Sequence, residues 1–359
     1  NVVEIGDSAF EDCANLKSVT FAADGTDALT IGAKAFYNCS ALKEIALPAR
    51  TTSIGDECFA YDSSYTIDKT LAKVTLNEGL ETIGAKAFAH TSQLTSINIP
   101  STVTSIGNSA FYYSAIGSIT FAARNGKELV FGESLFYGCS SLTKVELPEG
   151  LVSIPARTFY NNSALTSVTI PTTVRNDNAE RAIGQFAFYN CAKLSEVIFT
   201  KGGSESLSFA GGAFNGCDSL TKLSLPARIA SLDTSKFDVF ELGTNGSTND
   251  GDFNMVNCNV YAWKNSFVSG AKDISNLAEI EVEEGGAEYS SYKGVLYNAD
   301  KSVLVWCPFG KVGEVEVAKE TTKFRASAFN NCHYITSVVF EKGGTADFVM
   351  EDNTKTGTF

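Results

Sequence analysis

Phenylalanine returns along this chain at a nearly fixed interval, and that recurrence limits the fold more than any other feature. Phe10, Phe36, Phe59, Phe88, Phe111, Phe136, Phe159, Phe188 and Phe214 follow one another at spacings of 23 to 29 residues, and the phase resumes at Phe329 and Phe359. The residue before the ring is Ala in most copies, Cys58 in one, and Leu or Thr in the others. Three residues after it stands a small polar or thiol side chain: Cys13, Cys39, Asp62, Thr91, Ser114, Cys139, Asn162, Cys191, Cys217 or Cys332. Self-similarity at such a period marks an array of stacked turns rather than a single globular core.

The rest of the cycle has a physical reading. In most copies an L-x-x-I-x-I segment follows, as in Leu42-Ile45-Leu47, Leu94-Ile97-Ile99 and Leu165-Val168-Ile170. Its last residues alternate with period two, which is a short strand with one buried face. Pro48, Pro100, Pro148, Pro171 and Pro226 stop the strand, because proline brings no N–H to a ladder. Next comes Ile-Gly, at Ile54-Gly55, Ile83-Gly84, Ile106-Gly107 and Ile183-Gly184, where glycine is expected to supply the backbone freedom of a tight corner. Ala-Phe then places a small and a large apolar side chain inside the opposite wall. One copy buries too few apolar side chains to offset the conformational entropy of about 25 residues, so only stacking makes the array stable. Parallel strands of successive turns are expected to build one long sheet, rising about 4.8 Å per turn.

This S-I-G-x-x-A-F-x-x-C-x-x-L-x-x-I-x-I-P pattern, nearly complete from Ser105 to Ile119 and from Ile183 to Phe199, resembles the leucine-rich repeats of the BspA type. The resemblance covers roughly residues 1–230 and 310–359, in eleven phased copies. It implies a right-handed leucine-rich-repeat solenoid: an α/β-type superhelix of mostly parallel strands, with short helical or irregular turns on its convex side. It also implies a non-enzymatic bacterial surface protein, extracellular, with adhesion to host, extracellular-matrix or other cell-surface proteins as its role. The alternative is an architectural spacer holding another domain off the cell. Ile154-Pro155 in place of Ile-Gly, and Phe131 and Phe209 in place of Ile, read as packing variants.

Composition narrows the partners. The 359 residues carry a net charge of −13, which argues against nucleic acid and anionic membrane surfaces. No apolar run is long enough to span a membrane, and no leader opens the chain, so any export signal or anchor is expected outside it. A monomer with a protein partner is the expectation.

The repeat breaks after Phe214. About nine turns occupy residues 1–230, an irregular polar insertion is expected over 231–276, and 277–359 resumes the same solenoid. Within that last part, Tyr289 to Pro308 reads as a β-hairpin, with Val295–Tyr297 and Val303–Trp306 flanking a turn at Asn298–Lys301. It is either an elaborated turn of the solenoid or a protruding recognition element, with Tyr289, Tyr292, Tyr297 and Trp306 as candidate contacts. The outward residues of the regular strands are small and hydroxyl-rich (Thr20, Ser96, Thr120, Ser167, Thr169), whereas Glu279, Glu281, Glu314 and Glu316 stand out. On adjacent turns these carboxylates would face one another, a destabilising arrangement that invites Ca²⁺ or a basic partner. No other cofactor is implied.

Nine cysteines cannot all pair within one chain. Six share one repeat position (Cys13, Cys39, Cys139, Cys191, Cys217 and Cys332), which reads as a ladder of small buried thiols. Disulfides between consecutive turns, Cys13/Cys39 and Cys191/Cys217, are the alternative. A linear ladder does not converge four ligands on zinc. The two histidines, His90 and His333, lie a few residues after a repeat phenylalanine, with no carboxylate and nucleophile arranged around them as in a triad. They read as structural or surface residues. Asn38, Asn161 and Asn245 match the glycosylation sequon, which carries no weight in a bacterial protein.

Overall fold

The computed structural model describes residues 2–22, 25–63, 69–177, 182–210, 212–231, 277–325, 328–329, 332–344 and 349–350. The expected insertion after residue 231, including Asn245, lies outside them, as does Phe359.

Successive repeats stack as turns of a solenoid, but the strands form two parallel ladders rather than one sheet. The first is built by the residues before the glycine: Glu4–Ile5, Leu29–Ile31, Thr51–Ile54, Thr82–Ile83, Ser105–Ile106 and Val130–Phe131 form a six-stranded parallel sheet. Isolated bridges Ile154↔Ile183 and Ile183↔Phe209 extend this ladder, where Pro155 and Ala210 take the glycine position of two turns. The second ladder, from the L-x-x-I-x-I segments, comes in short pieces: Glu44–Ala46 with Lys73–Thr75, Ser96–Ile99 with Ser118–Phe121, and Lys144–Glu146, Ser167–Ile170 and Glu196–Phe199 together. Each proline ends its strand as expected and then accepts a turn hydrogen bond, for example from Thr51 to Pro48 at 2.9 Å.

The glycine has a different reason from the expected one. None of Gly32, Gly55, Gly84, Gly107, Gly132 and Gly184 has a positive φ. A β-carbon on Gly107 would instead stand 2.5 Å from the amide nitrogen of Ala85, and one on Gly184 would stand 2.4 Å from that of Ala156. Neighbouring turns approach so closely here that only hydrogen fits.

No helix occurs among the described residues; the wall expected to hold short helical or irregular turns is made of stacked β-turns. Its backbone amides alternate. Those of Ala35, Tyr37 and Cys39 donate to carbonyls three residues back, while those of Lys34, Phe36 and Asn38 donate to Asp56, Cys58 and Ala60 of the next turn. In most turns two left-handed residues make this possible, as at Lys34 (φ 53°) and Asn38 (φ 56°). The backbone amides along this wall thus find partners without a helix or a regular strand.

Between the walls lies a continuous apolar core. Nine phenylalanine rings from Phe10 to Phe214 stack face to face through it, with centroids 5.1 to 5.6 Å apart. All are buried except Phe10, which the second turn covers on one side only. Phe329 is buried in a second cluster with Tyr297 and Phe324.

The thiol position is a hydrogen-bond ladder. Cys39, Cys139, Cys191 and Cys217 donate to the carbonyls of Phe10, Phe111, Phe159 and Phe188 on the preceding turns, at 3.0 to 3.1 Å. Asn162 does the same to Phe136 at 2.8 Å. The position asks for a small donor. Burial pushes the Cys139 and Cys191 thiols up to about 12, so they stay protonated. Cys13 is half-buried at the open side of the first turn.

Past the insertion, Glu279–Val282 pairs in parallel with Lys222–Leu225, so residues 277 onward continue the second ladder. Tyr289–Tyr292, Val295–Asn298 and Val303–Trp306 then form an antiparallel meander, one strand more than the expected hairpin. Its third strand returns to parallel pairing with Lys323–Phe324, and Gly313–Val317 pairs with Ile335–Phe340.

Candidate binding surface

The acidic quartet expected at the repeat break does not form. Glu279 and Glu281 sit opposite Lys222 and Ser224, and Glu314 and Glu316 sit opposite Ser337 and Val339. The meander occupies the space where the next turn would bring the two pairs together: the Ile280 amide donates to Gly294 at 3.0 Å. Two lysines pair with three of the four carboxylates, and Glu314 accepts from the Ser337 hydroxyl at 3.3 Å. Lys222 reaches Glu281 at 2.7 Å and Glu279 at 3.9 Å. Lys293 pairs with Glu316, which also accepts from the Tyr292 hydroxyl at 3.1 Å. The Lys293 ammonium and the Tyr292 hydroxyl hold the Glu316 carboxyl below the usual range. Among the described residues, no group of three or more His, Cys, Asp or Glu side chains is placed to hold a metal ion.

The aromatic residues of the meander divide. Tyr297 is fully buried, with its hydroxyl accepting from the Ala318 amide, and Trp306 packs edge-on against Phe309 in the core. Tyr289 is also buried. Tyr292 alone is half-exposed. The meander is therefore a packed turn of the solenoid, and Tyr297 and Trp306 are core residues.

A surface of a different kind lies on the β-turn wall. The residue after the repeat phenylalanine is a half-exposed tyrosine at Tyr37, Tyr112, Tyr137, Tyr160 and Tyr189. The last four come from consecutive turns and stack, with centroids 5.0 Å apart from Tyr112 to Tyr137, 4.6 Å from Tyr137 to Tyr160 and 4.5 Å from Tyr160 to Tyr189. The left-handed positions widen the ridge. Tyr113 (φ 50°) lies edge-on to Tyr112 at 4.7 Å, Phe186 (φ 56°) lies edge-on to Tyr189 at 5.6 Å, and His90 stacks 6.0 Å from Tyr113. Tyr113 is 46% exposed and the other rings are half-buried.

Glycines in the next turn make room for the two flanking rings. A β-carbon on Gly138 would come within 2.7 Å of the Tyr113 ring, and one on Gly212 within 2.5 Å of the Phe186 ring. Both glycines also have positive φ, of 71° and 65°. Burial and neighbouring tyrosines raise the hydroxyl pKa of Tyr112, Tyr137 and Tyr160, so the ridge remains a row of neutral donors. Burial, with Lys69 and Lys86 adding to it, lowers the pKa of His90 and favours its neutral form.

The ridge was not among the sequence candidates, although its signal is present as recurrent Phe-Tyr dipeptides. His90 belongs to this surface, whereas His333 is exposed on a later turn. Asn38 is buried and donates to Asp12 at 2.9 Å, which leaves little of that sequon accessible.

Two parallel ladders, an internal phenylalanine stack and a wall of β-turns define the protein as a leucine-rich-repeat solenoid. Residues 1–114, 61–180 and 176–280 match the BspA type leucine rich repeat region, in six copies, and the chain belongs to that family. Among solved structures, the pneumococcal vaccine antigen PcpA is similar at 20% identity over 85% of this chain and 57% of that one, with a TM-score of 0.42. A leucine-rich repeat protein from Bacteroides ovatus is similar at 17% identity over 97% and 88%, with a TM-score of 0.36. A leucine rich cell surface protein from Faecalibacterium prausnitzii is similar at 18% identity over 95% and 84%, with a TM-score of 0.30. The chain thus spans little more than half of the pneumococcal antigen. No curated protein sequence matches it significantly. No helix among the described residues is long and apolar enough to cross a membrane.

Proposed function

We propose that this chain is the binding segment of a bacterial cell-surface protein, acting without catalysis and as a monomer, and that it docks a protein partner on the tyrosine ridge. One observation carries the reading: four consecutive turns stack Tyr112, Tyr137, Tyr160 and Tyr189 into one half-exposed row. Tyrosine is enriched at interface hot spots because it offers apolar area and a hydroxyl on a side chain with little entropy to lose. Stacking fixes these rings before any partner arrives, which lowers the ordering cost of docking. The strand face at the repeat break is a weaker candidate, since Lys222 and Lys293 already pair with three of its four carboxylates.

The test is a binding screen of the full chain against extracellular-matrix and bacterial surface proteins, repeated with a Tyr137→Ala/Tyr160→Ala double variant. Truncating hot-spot tyrosines costs about 2 kcal/mol or more, so affinity should fall by more than about tenfold for the partner retained by the parent. Unchanged affinity, with loss on reversing Lys222 and Glu281 instead, would move the site to the strand face. An architectural spacer would retain no partner at all.

A further inference from the structure

After the first turn, where the repeat thiol is a cysteine, its sulfur meets the backbone carbonyl of the residue at the phenylalanine position one turn earlier. Cys332 follows the rule, with its sulfur 3.4 Å from the carbonyl of Cys307. The residue holding that position is here a cysteine rather than a phenylalanine. Cys307 occupies it by its own backbone bond, its amide donating to Ala328 at 2.8 Å as Phe36 donates to Cys58 in the regular turns. Both sulfurs also lie against one acceptor, the Pro308 carbonyl, at 3.9 Å from Cys307 and 3.8 Å from Cys332. The turns are held one strand spacing apart by the pairing of Val303–Trp306 with Lys323–Phe324. That spacing is within the reach of a disulfide.

We propose that Cys307 and Cys332 are an oxidation site that closes into a disulfide, clasping the meander to the turn that follows it. The chemistry is exchange with an external disulfide, either a low-molecular-weight one or that of a thiol oxidoreductase. The thiolate of Cys332, which is partly exposed, attacks the external disulfide, forms a mixed disulfide and releases one thiol. The thiolate of Cys307 then attacks the Cys332 sulfur and expels the second thiol. Two protein thiols are oxidised and one external disulfide is reduced to two thiols. Contact with Cys332 and burial together push the Cys307 thiol above its ordinary pKa, so the second step is slow in the folded protein. The bond therefore forms as this end of the chain folds. The linkage closes a loop of 25 residues.

The experiment is refolding of the full chain in a buffer of oxidised and reduced glutathione, then alkylation and peptide mapping without reduction. A Cys307–Cys332 linked peptide, lighter by two hydrogens and released by dithiothreitol, is expected in the parent chain and in Cys13→Ser, and absent in Cys307→Ser. The oxidised parent should melt at a higher temperature than its reduced form, while Cys307→Ser melts alike in both buffers. Full alkylation of both residues after refolding, or linkage of Cys307 to any other cysteine, would overturn the proposal.

Discussion

The Tyr113 ring lies over Gly138 of the following turn, in the volume that a β-carbon there would fill, 2.7 Å from its nearest ring atoms. The contact joins two features that look unrelated in the sequence. One is a tyrosine held in the left-handed region; the other is a glycine at the same position one turn later. Together they let an aromatic ring lie flat on the wall and broaden the ridge at its most exposed point.

Gly138→Ala tests this arrangement. The residue sits at φ 71°, where a side chain is strained, and its methyl group would displace the Tyr113 ring. A loss of about 1–3 kcal/mol in chemical denaturation is expected, together with faster iodination of Tyr113. Unchanged labelling would mean that the ring does not depend on the glycine.

The close approach of the turns is tested at Gly107→Ala. Its β-carbon would press on the backbone of Ala85 rather than on a flexible side chain, so the two turns must part. The expected cost is about 1–3 kcal/mol, with faster hydrogen exchange at Gly107, whose amide bonds Ile83. A neutral variant would restore the corner reading, in which glycine serves only its own torsions.

At the thiol ladder, Cys139→Ala removes one of the two donors to the Phe111 carbonyl, the Ser114 amide being the other. It should cost about 0.5–1.5 kcal/mol, the net worth of one intramolecular hydrogen bond. Cys139→Asn should recover much of this, because Asn162 already fills the same role one turn on. Equal losses in both variants would show that the position selects volume alone.

Acidity should weaken the ridge through His90. Its pKa is lowered in the fold, so below its ordinary value of about 6.5 the unfolded chain binds the proton more readily, and stability falls with pH. His90→Asn, a residue that tolerates the φ of 59°, should flatten this part of the profile. The raised pKa values of Tyr137 and Tyr160 act at the other end: their contribution is intact below pH 10 and is lost as the pH rises through their folded values. Denaturation midpoints across the pH range, compared between the parent and His90→Asn, check the acid limb.

Much of the fold was legible because period carries burial. The phenylalanine stack, the Ile-x-Ile strands and the proline stops all follow from side chains that recur in phase. Backbone geometry was less legible. The Ile-Gly step marks where glycine is needed, but a one-letter pattern does not say whether φ or a neighbouring turn requires it. The left-handed pairs such as Lys34 and Asn38 also carry no common residue type, so short helical and irregular turns both stayed open for the wall that β-turns build. The acidic quartet failed for a topological reason: the spacing of Glu281 and Glu314 suggests adjacent turns, while the meander between them inserts Lys293 and Gly294. The ridge was missed because strand faces usually present the repeat's surface. Here the outward tyrosines stand beside the buried phenylalanines on the opposite wall.

The most direct measurement of the ridge's role is hydroxyl-radical footprinting of the full chain with and without a captured protein partner. The account predicts protection concentrated at Tyr113, Tyr137 and Tyr160, with Tyr292 and its neighbours on the strand side labelled as in the unbound chain. Protection of Tyr292 and Glu281 with the ridge tyrosines still reactive would contradict it.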